Sequence, residues 1–144
     1  MLARIRKSQE QNEGGFTLIE LLVVMIIIGI LAAIAIPTFL SQKQKAKESS
    51  VKSDVKAVAT EVETLLTDGN PTTLTVTGGP GPATATITAD GVVDTNAPRL
   101  SKDNSIAKFT WVAATGTYCV AVSNADTGVS TWQVSGGQLT KAGC

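Results

Sequence analysis

The chain has 144 residues, enough for one domain with a modest core plus an appendage. Twelve Lys and Arg balance twelve Asp and Glu, so whole-chain charge points to no nucleic acid, anionic membrane or acidic substrate. There is no His, no Gly-rich phosphate loop, no HExxH pattern and no serine in a nucleophile elbow, so the usual catalytic machinery is missing. The expectation is a protein that is not an enzyme, with no metal site and no cofactor.

Residues 1–15 carry Arg4, Arg6 and Lys7, then Glu10, Glu13, Gly14 and Gly15. This polar stretch reads as a cleavable leader. Residues 16–36 follow, with Thr17 and Glu20 as the clearly polar positions. At about 1.5 Å per residue they form a helix of roughly 30 Å, one bilayer crossing. A carboxylate at a membrane helix centre costs about 2.5–3.5 kcal/mol, and less near an end. Glu20 is therefore read as an assembly device, the alternative being a side chain that reaches back to the interface. An ordinary secretory signal, cut near Ala33 and Ala35, would discard Glu20 with the apolar run. Lys43, Lys45, Lys47, Lys52 and Lys56 follow the span, so basic residues do not settle its orientation. The downstream cysteines suit an extracytoplasmic compartment, which places the amino terminus inside.

Pro37 closes the apolar run and would cost an α-helix the hydrogen bond to the Ala33 carbonyl, about 3 kcal/mol. A kink or loosened segment is expected at 33–37. Helix formers then continue, and Val51, Val55, Val58, Val62 and Leu65 recur at helical spacing to draw one apolar stripe. Lys52, Asp54, Lys56, Glu61 and Glu63 mostly take other faces, as on a helix lying against a sheet. Asp68-Gly69-Asn70-Pro71 stops the pattern. Short strands are expected at 74–77 and 85–88 around an irregular Gly- and Pro-rich loop, and 89–105 reads as a surface connection with turns at Asp90-Gly91 and Asn96-Ala97-Pro98. Runs at 108–113, 117–122 and 130–134 predict an antiparallel meander that covers the valine stripe. The fold class is α+β: a long N-terminal helix, membrane-spanning then amphipathic, packed on a small antiparallel β-sheet head. The expected divisions are 1–15 (leader), 16–36 (transmembrane and assembly helix), 37–68 (amphipathic helix) and 69–144 (β-rich head).

Gly14-Gly15 before Phe16, then Thr17-Leu18-Ile19-Glu20-Leu21-Leu22, an Ile/Val/Ala span and Pro37, resembles a type IV pilin precursor of the type IVa-like kind. The specific part covers residues 14 to about 40, and Glu13 stands where leaders of that family commonly carry a basic residue. The resemblance implies the pilin fold, cleavage between Gly15 and Phe16 by a prepilin peptidase, and methylation of the new Phe16 amine. It further implies a homopolymer, a helical filament built by pilus assembly machinery from subunits held in the inner, or cytoplasmic, membrane, with a role in adhesion, motility, biofilm formation or DNA uptake. Glu20 would then meet the amine of a Phe16, its own or a neighbour's, in a low-dielectric layer where opposite charges attract strongly. A segment from Gly29 to Pro37 that loosens would let the filament stretch. A type II secretion pseudopilin and a single-pass membrane protein with an extracellular binding head are the alternatives.

Two cysteines allow one intramolecular pairing, and pilins often staple their carboxy-terminal region, so a Cys119–Cys144 disulfide is expected, with two free thiols as the alternative. Asp103-Asn104 and Asn124-Ala125-Asp126-Thr127-Gly128 offer oxygens to calcium but lack EF-hand spacing and read more simply as turns. The five lysines between 43 and 56 form either a nucleic-acid or lipid contact or, more ordinarily, a solvated helix face.

Overall fold

Between Leu18 and Asp68 only Gly29 and Pro37 break a run of residues that otherwise tolerate or favour helix. In the computed structural model, which describes residues 15–69, 71–141 and 144, this whole stretch is a single helix, α1 (Leu18–Asp68). The expected leader lies outside the described residues except for Gly15. The chain divides into two units at Leu40/Ser41.

In the first unit the large apolar side chains of α1, from Leu18 through Leu40, are exposed. An 18-residue window there is long and apolar enough to cross a membrane. Helix is assigned without interruption through Gly29 and Pro37. One turn adapts locally: the Thr38 hydroxyl donates to the Ile34 carbonyl at 3.1 Å. Such back-bonding is a common accommodation of Ser and Thr within helices.

The second unit is built on the valine stripe. Val51, Val55, Val58 and Val62 are fully buried, and Ala59 nearly so. Seven strands follow: β1 (Leu74–Thr77), β2 (Thr86–Ala89), β3 (Val92–Val93), β4 (Asn104–Val112), β5 (Thr117–Asn124), β6 (Trp132–Ser135) and β7 (Gln138–Thr140). They form two antiparallel sheets, ordered β1-β2-β3 and β4-β5-β6-β7. β5 is an inner strand, and its Tyr118, Val120 and Val122 join Ile87, Leu100 and the helix valines in one core. The meander was expected; the separate first sheet, β3 and β7 were not.

The segment 89–105 is a correction to its reading as a surface connection. It contains β3, and it buries Ala97, Leu100 and Asn104. β2 turns into β3 through Asp90 and Gly91, both at positive φ, in a two-residue hairpin where Ala89 pairs with Val92. At Gly81 the chain passes so close to residues 100–101 that a Cβ would lie 2.1 Å from the Ser101 carbonyl oxygen. No other residue type fits there.

A second correction concerns Asp54, which is 6 % exposed rather than on an outer face. It sits three residues after Val51 on the same stripe. A buried carboxylate is tolerated only when its lone pairs are met. Asp54 accepts from the Ser101 amide at 2.7 Å, the Ser101 hydroxyl at 2.9 Å and the Asn104 side-chain amide at 2.7 Å. Asn104 in turn accepts from the Asn124 side-chain amide at 2.6 Å. The network fastens the 98–105 segment and the end of β5 to α1.

Candidate processing and assembly segment

Helix α1 begins with a reciprocal cap. The first amides of a helix have no intrahelical acceptor, so the sequence near them must supply one. The Glu20 amide donates to the Thr17 hydroxyl at 3.2 Å, while the Thr17 amide and hydroxyl donate to Glu20 Oε2 at 3.2 and 3.1 Å. This is a capping box, Thr-x-x-Glu, with the carboxylate held at the positive end of the helix dipole. In the sequence Thr17 stands out only as a polar position of the motif, although its three-residue spacing from Glu20 carries the capping signal.

Phe16, immediately before the cap, is 80 % exposed, and Gly15 is exposed beside it. A Cβ built on Gly15 meets nothing within 4 Å. The described residues therefore impose no packing need for glycine at this position. Gly29 is equally open, and it and Pro37 lie within continuous helix.

Cys119, on β5, is joined to Cys144 in a disulfide with a Cα separation of 5.9 Å. Lys108 Nζ on neighbouring β4 donates to the Cys144 carbonyl at 2.7 Å. The bond and the lysine hold Cys144 against the second sheet.

Asn104, Asn124 and Asp126, among the groups considered for calcium, are engaged in protein contacts. Asn104 and Asn124 belong to the Asp54 network, Asp126 pairs with Lys47, and the Asp126 amide donates to Asn124 Oδ1 at 3.0 Å. Among the described residues no group of three His, Cys, Asp or Glu converges as a metal site. The lysine row is likewise partly committed: Lys47 pairs with Asp126, and Lys52 Nζ lies 4.0 Å over the Trp132 ring. Gln44 donates to the Gly128 carbonyl, and Ser130 donates to Glu48 at 3.2 Å. These contacts strap the β5–β6 connection onto the helix.

Among the described residues three groups have shifted titration. Burial and a hydrogen bond to Glu63 at 2.7 Å push the Tyr118 phenol well above its ordinary value. Desolvation and the neighbouring Asp94 raise Glu61. Donors from Thr73 and Thr72 lower Asp90. None of the three lies near the capped start of α1 in sequence, and none is paired with a nucleophile.

An exposed apolar helix with an acid in its first turn, followed by a disulfide-bonded α+β unit, defines a class: a membrane-anchored precursor with pilin-like architecture. Residues 11–36 match the family model described as the prokaryotic N-terminal methylation motif. The chain is 44 % identical over 55 residues to the type II secretion system core protein G of Pseudomonas aeruginosa, covering 38 % of this chain and 39 % of that protein. It is 43 % identical over 65 residues to the type IV major pilin protein PilA of Myxococcus xanthus, covering 45 % and 29 %. It is 51 % identical over 57 residues to a type IV major fimbrial protein FimA of Dichelobacter nodosus, covering 40 % and 36 %. The chain thus matches less than half the length of each of these relatives. No solved structure matches it.

Proposed function

We propose that this chain is the precursor of a structural subunit of an extracellular type IV pilus, and that it has no enzymatic activity. The observation that carries the reading is the capping box at Thr17 and Glu20, placed directly after Gly15-Phe16 inside the matched methylation motif. A membrane prepilin peptidase hydrolyses the Gly15–Phe16 peptide bond, leaving a carboxylate on Gly15 and an amine on Phe16 that is then methylated. Gly15 suits that step because a residue without a side chain leaves the scissile backbone accessible. The new amine is a cation beside an apolar layer, and the Glu20 carboxylate of a neighbouring subunit is its complement.

The partners on this reading are copies of the same chain, the peptidase, the assembly machinery and the cytoplasmic membrane before assembly. Nucleic acid is not assigned. A type II secretion pseudopilin is the second reading, favoured by the comparable identity to core protein G.

Substitution separates charge from capping. Gln also closes a capping box, so Glu20→Gln keeps the helix start and removes the charge, whereas Glu20→Ala removes both. Both variants are expected to be cleaved and membrane-bound yet to yield few sheared filaments. Normal filament abundance in Glu20→Gln would show that the charge is not what recruits the next subunit.

A further inference from the structure

Lysines follow the apolar part of α1 with no acid to balance them. From Leu21 to Lys47 the chain has no Asp or Glu, whereas Lys43, Lys45 and Lys47 follow one another at alternate positions. Two of the α1 lysines are already engaged within the Ser41–Cys144 unit: Lys47 pairs with Asp126, and Lys52 lies over the Trp132 ring. Lys43 and Lys45 are exposed, and among the described residues neither forms an ion pair. Ser41, Gln42 and Ala46 beside them are exposed as well, so this turn of α1 is open on most sides.

Position along the helix decides which lysines can reach a bilayer surface. From Leu18 to Leu40 a helix rises roughly 33 Å, which fills a hydrocarbon layer of about 30 Å. The interfacial layer beyond it is about 5–7 Å deep on each side. Lys43 lies roughly 4.5 Å and Lys45 roughly 7.5 Å past Leu40 along the axis, and a long aliphatic stem lets each ammonium adjust its depth. Lys56, roughly 24 Å past Leu40, is out of range. Two residues of helix turn through about 200°, so Lys43 and Lys45 stand on nearly opposite sides of α1. A nucleic acid meets one face of a helix, whereas headgroups surround it, and opposed lysines suit the second.

We infer that Lys43 and Lys45 bind the phosphates of anionic phospholipid headgroups where α1 leaves the bilayer. Phosphate is the complement of an exposed ammonium without a partner, and basic residues next to a membrane helix are attracted to anionic lipid. A zwitterionic headgroup carries the same phosphate with its charge offset, so the contact selects phosphatidylglycerol over phosphatidylcholine. It requires membrane anchorage, on which the proposed function also rests, but no filament.

The test uses the full chain, disulfide intact, in phosphatidylcholine vesicles with trace spin-labelled phosphatidylglycerol or phosphatidylcholine, and reads by EPR the lipid immobilised on the protein. Phosphatidylglycerol should be preferred at least about twofold at low salt, and less in 1 M salt, where the Debye length is about 3 Å. Lys43→Gln with Lys45→Gln should remove at least about half of that preference, the remainder coming from Arg4, Arg6 and Lys7. Lys43→Arg with Lys45→Arg should keep it. Gln and Lys have similar helix propensity, so exposed positions of α1 accept the exchange. A preference unchanged by the Gln pair would overturn the inference, as would an equal loss from Lys102→Gln with Lys141→Gln, which lie outside α1. A chain that fails to float with the vesicles would contradict membrane anchorage itself, and the lysine contact with it.

Discussion

Glu20 is already hydrogen-bonded within its own first turn, so on the proposed reading a neighbour's amine would share or displace those bonds rather than meet a bare carboxylate. Its charge was legible in the sequence because it interrupts an apolar run. Asp54 was harder to read, because a charged residue beside Lys52 and Lys56 resembles a solvated face; its clue is the three-residue step from Val51 onto the buried stripe. Asp54→Ala leaves the Ser101 amide and the Asn104 side chain without their acceptor and should cost about 2–3 kcal/mol, measured as a lower denaturant midpoint at unchanged slope. Glu61 and Asp90 predict opposite pH trends. Glu61 is raised above its ordinary 4.5, so its contribution to stability is full below that value and is lost as pH rises through the higher folded value. Glu61→Gln should therefore flatten the fall in thermal stability above pH 4.5; an unchanged pH profile would contradict this. Asp90 is lowered from 3.8, so its contribution is present above that value and is lost as pH falls through the lower folded value.

At the scale of elements, periodicity explains both what was readable and what was not. The stripe Val51, Val55, Val58 and Val62 repeats over three turns and could be assigned to a sheet-facing helix face from spacing alone. β1 and the meander strands β4, β5 and β6 alternate or run apolar between turn residues. β3 has two residues and β7 three, too few for a period of two to register. Ala97 and Leu100 are isolated apolar residues among turn formers, buried because the chain at Gly81 packs against 100–101 and not because of a local pattern. The disulfide closes a 25-residue separation between β5 and Cys144, and a loop of that size is worth about 3–4 kcal/mol in the chain-entropy model. Cys119→Ser should lower unfolding stability by about that amount, and reduction of the native chain should do the same.

For the whole molecule, magnitudes decide what the N-terminal segment is for. Each large apolar side chain moved out of water contributes about 1.5–3 kcal/mol, and those exposed from Phe16 to Leu40 are many. Together they far outweigh the few kcal/mol that Glu20 costs in hydrocarbon. Burial of this helix face, in a bilayer or against protein, follows from the apolar surface; on the proposed reading Glu20 contributes register and partner choice. Contacts repeated head to tail without closure extend into a fibre, so on the proposed reading one surface serves for anchorage and then for assembly. The most direct test is intact mass and amino-terminal peptide analysis of the protein in material sheared from the cell surface. The account predicts a chain beginning at methylated Phe16, with the Cys119–Cys144 bond intact. A chain that retains Met1 and is confined to membranes would contradict it.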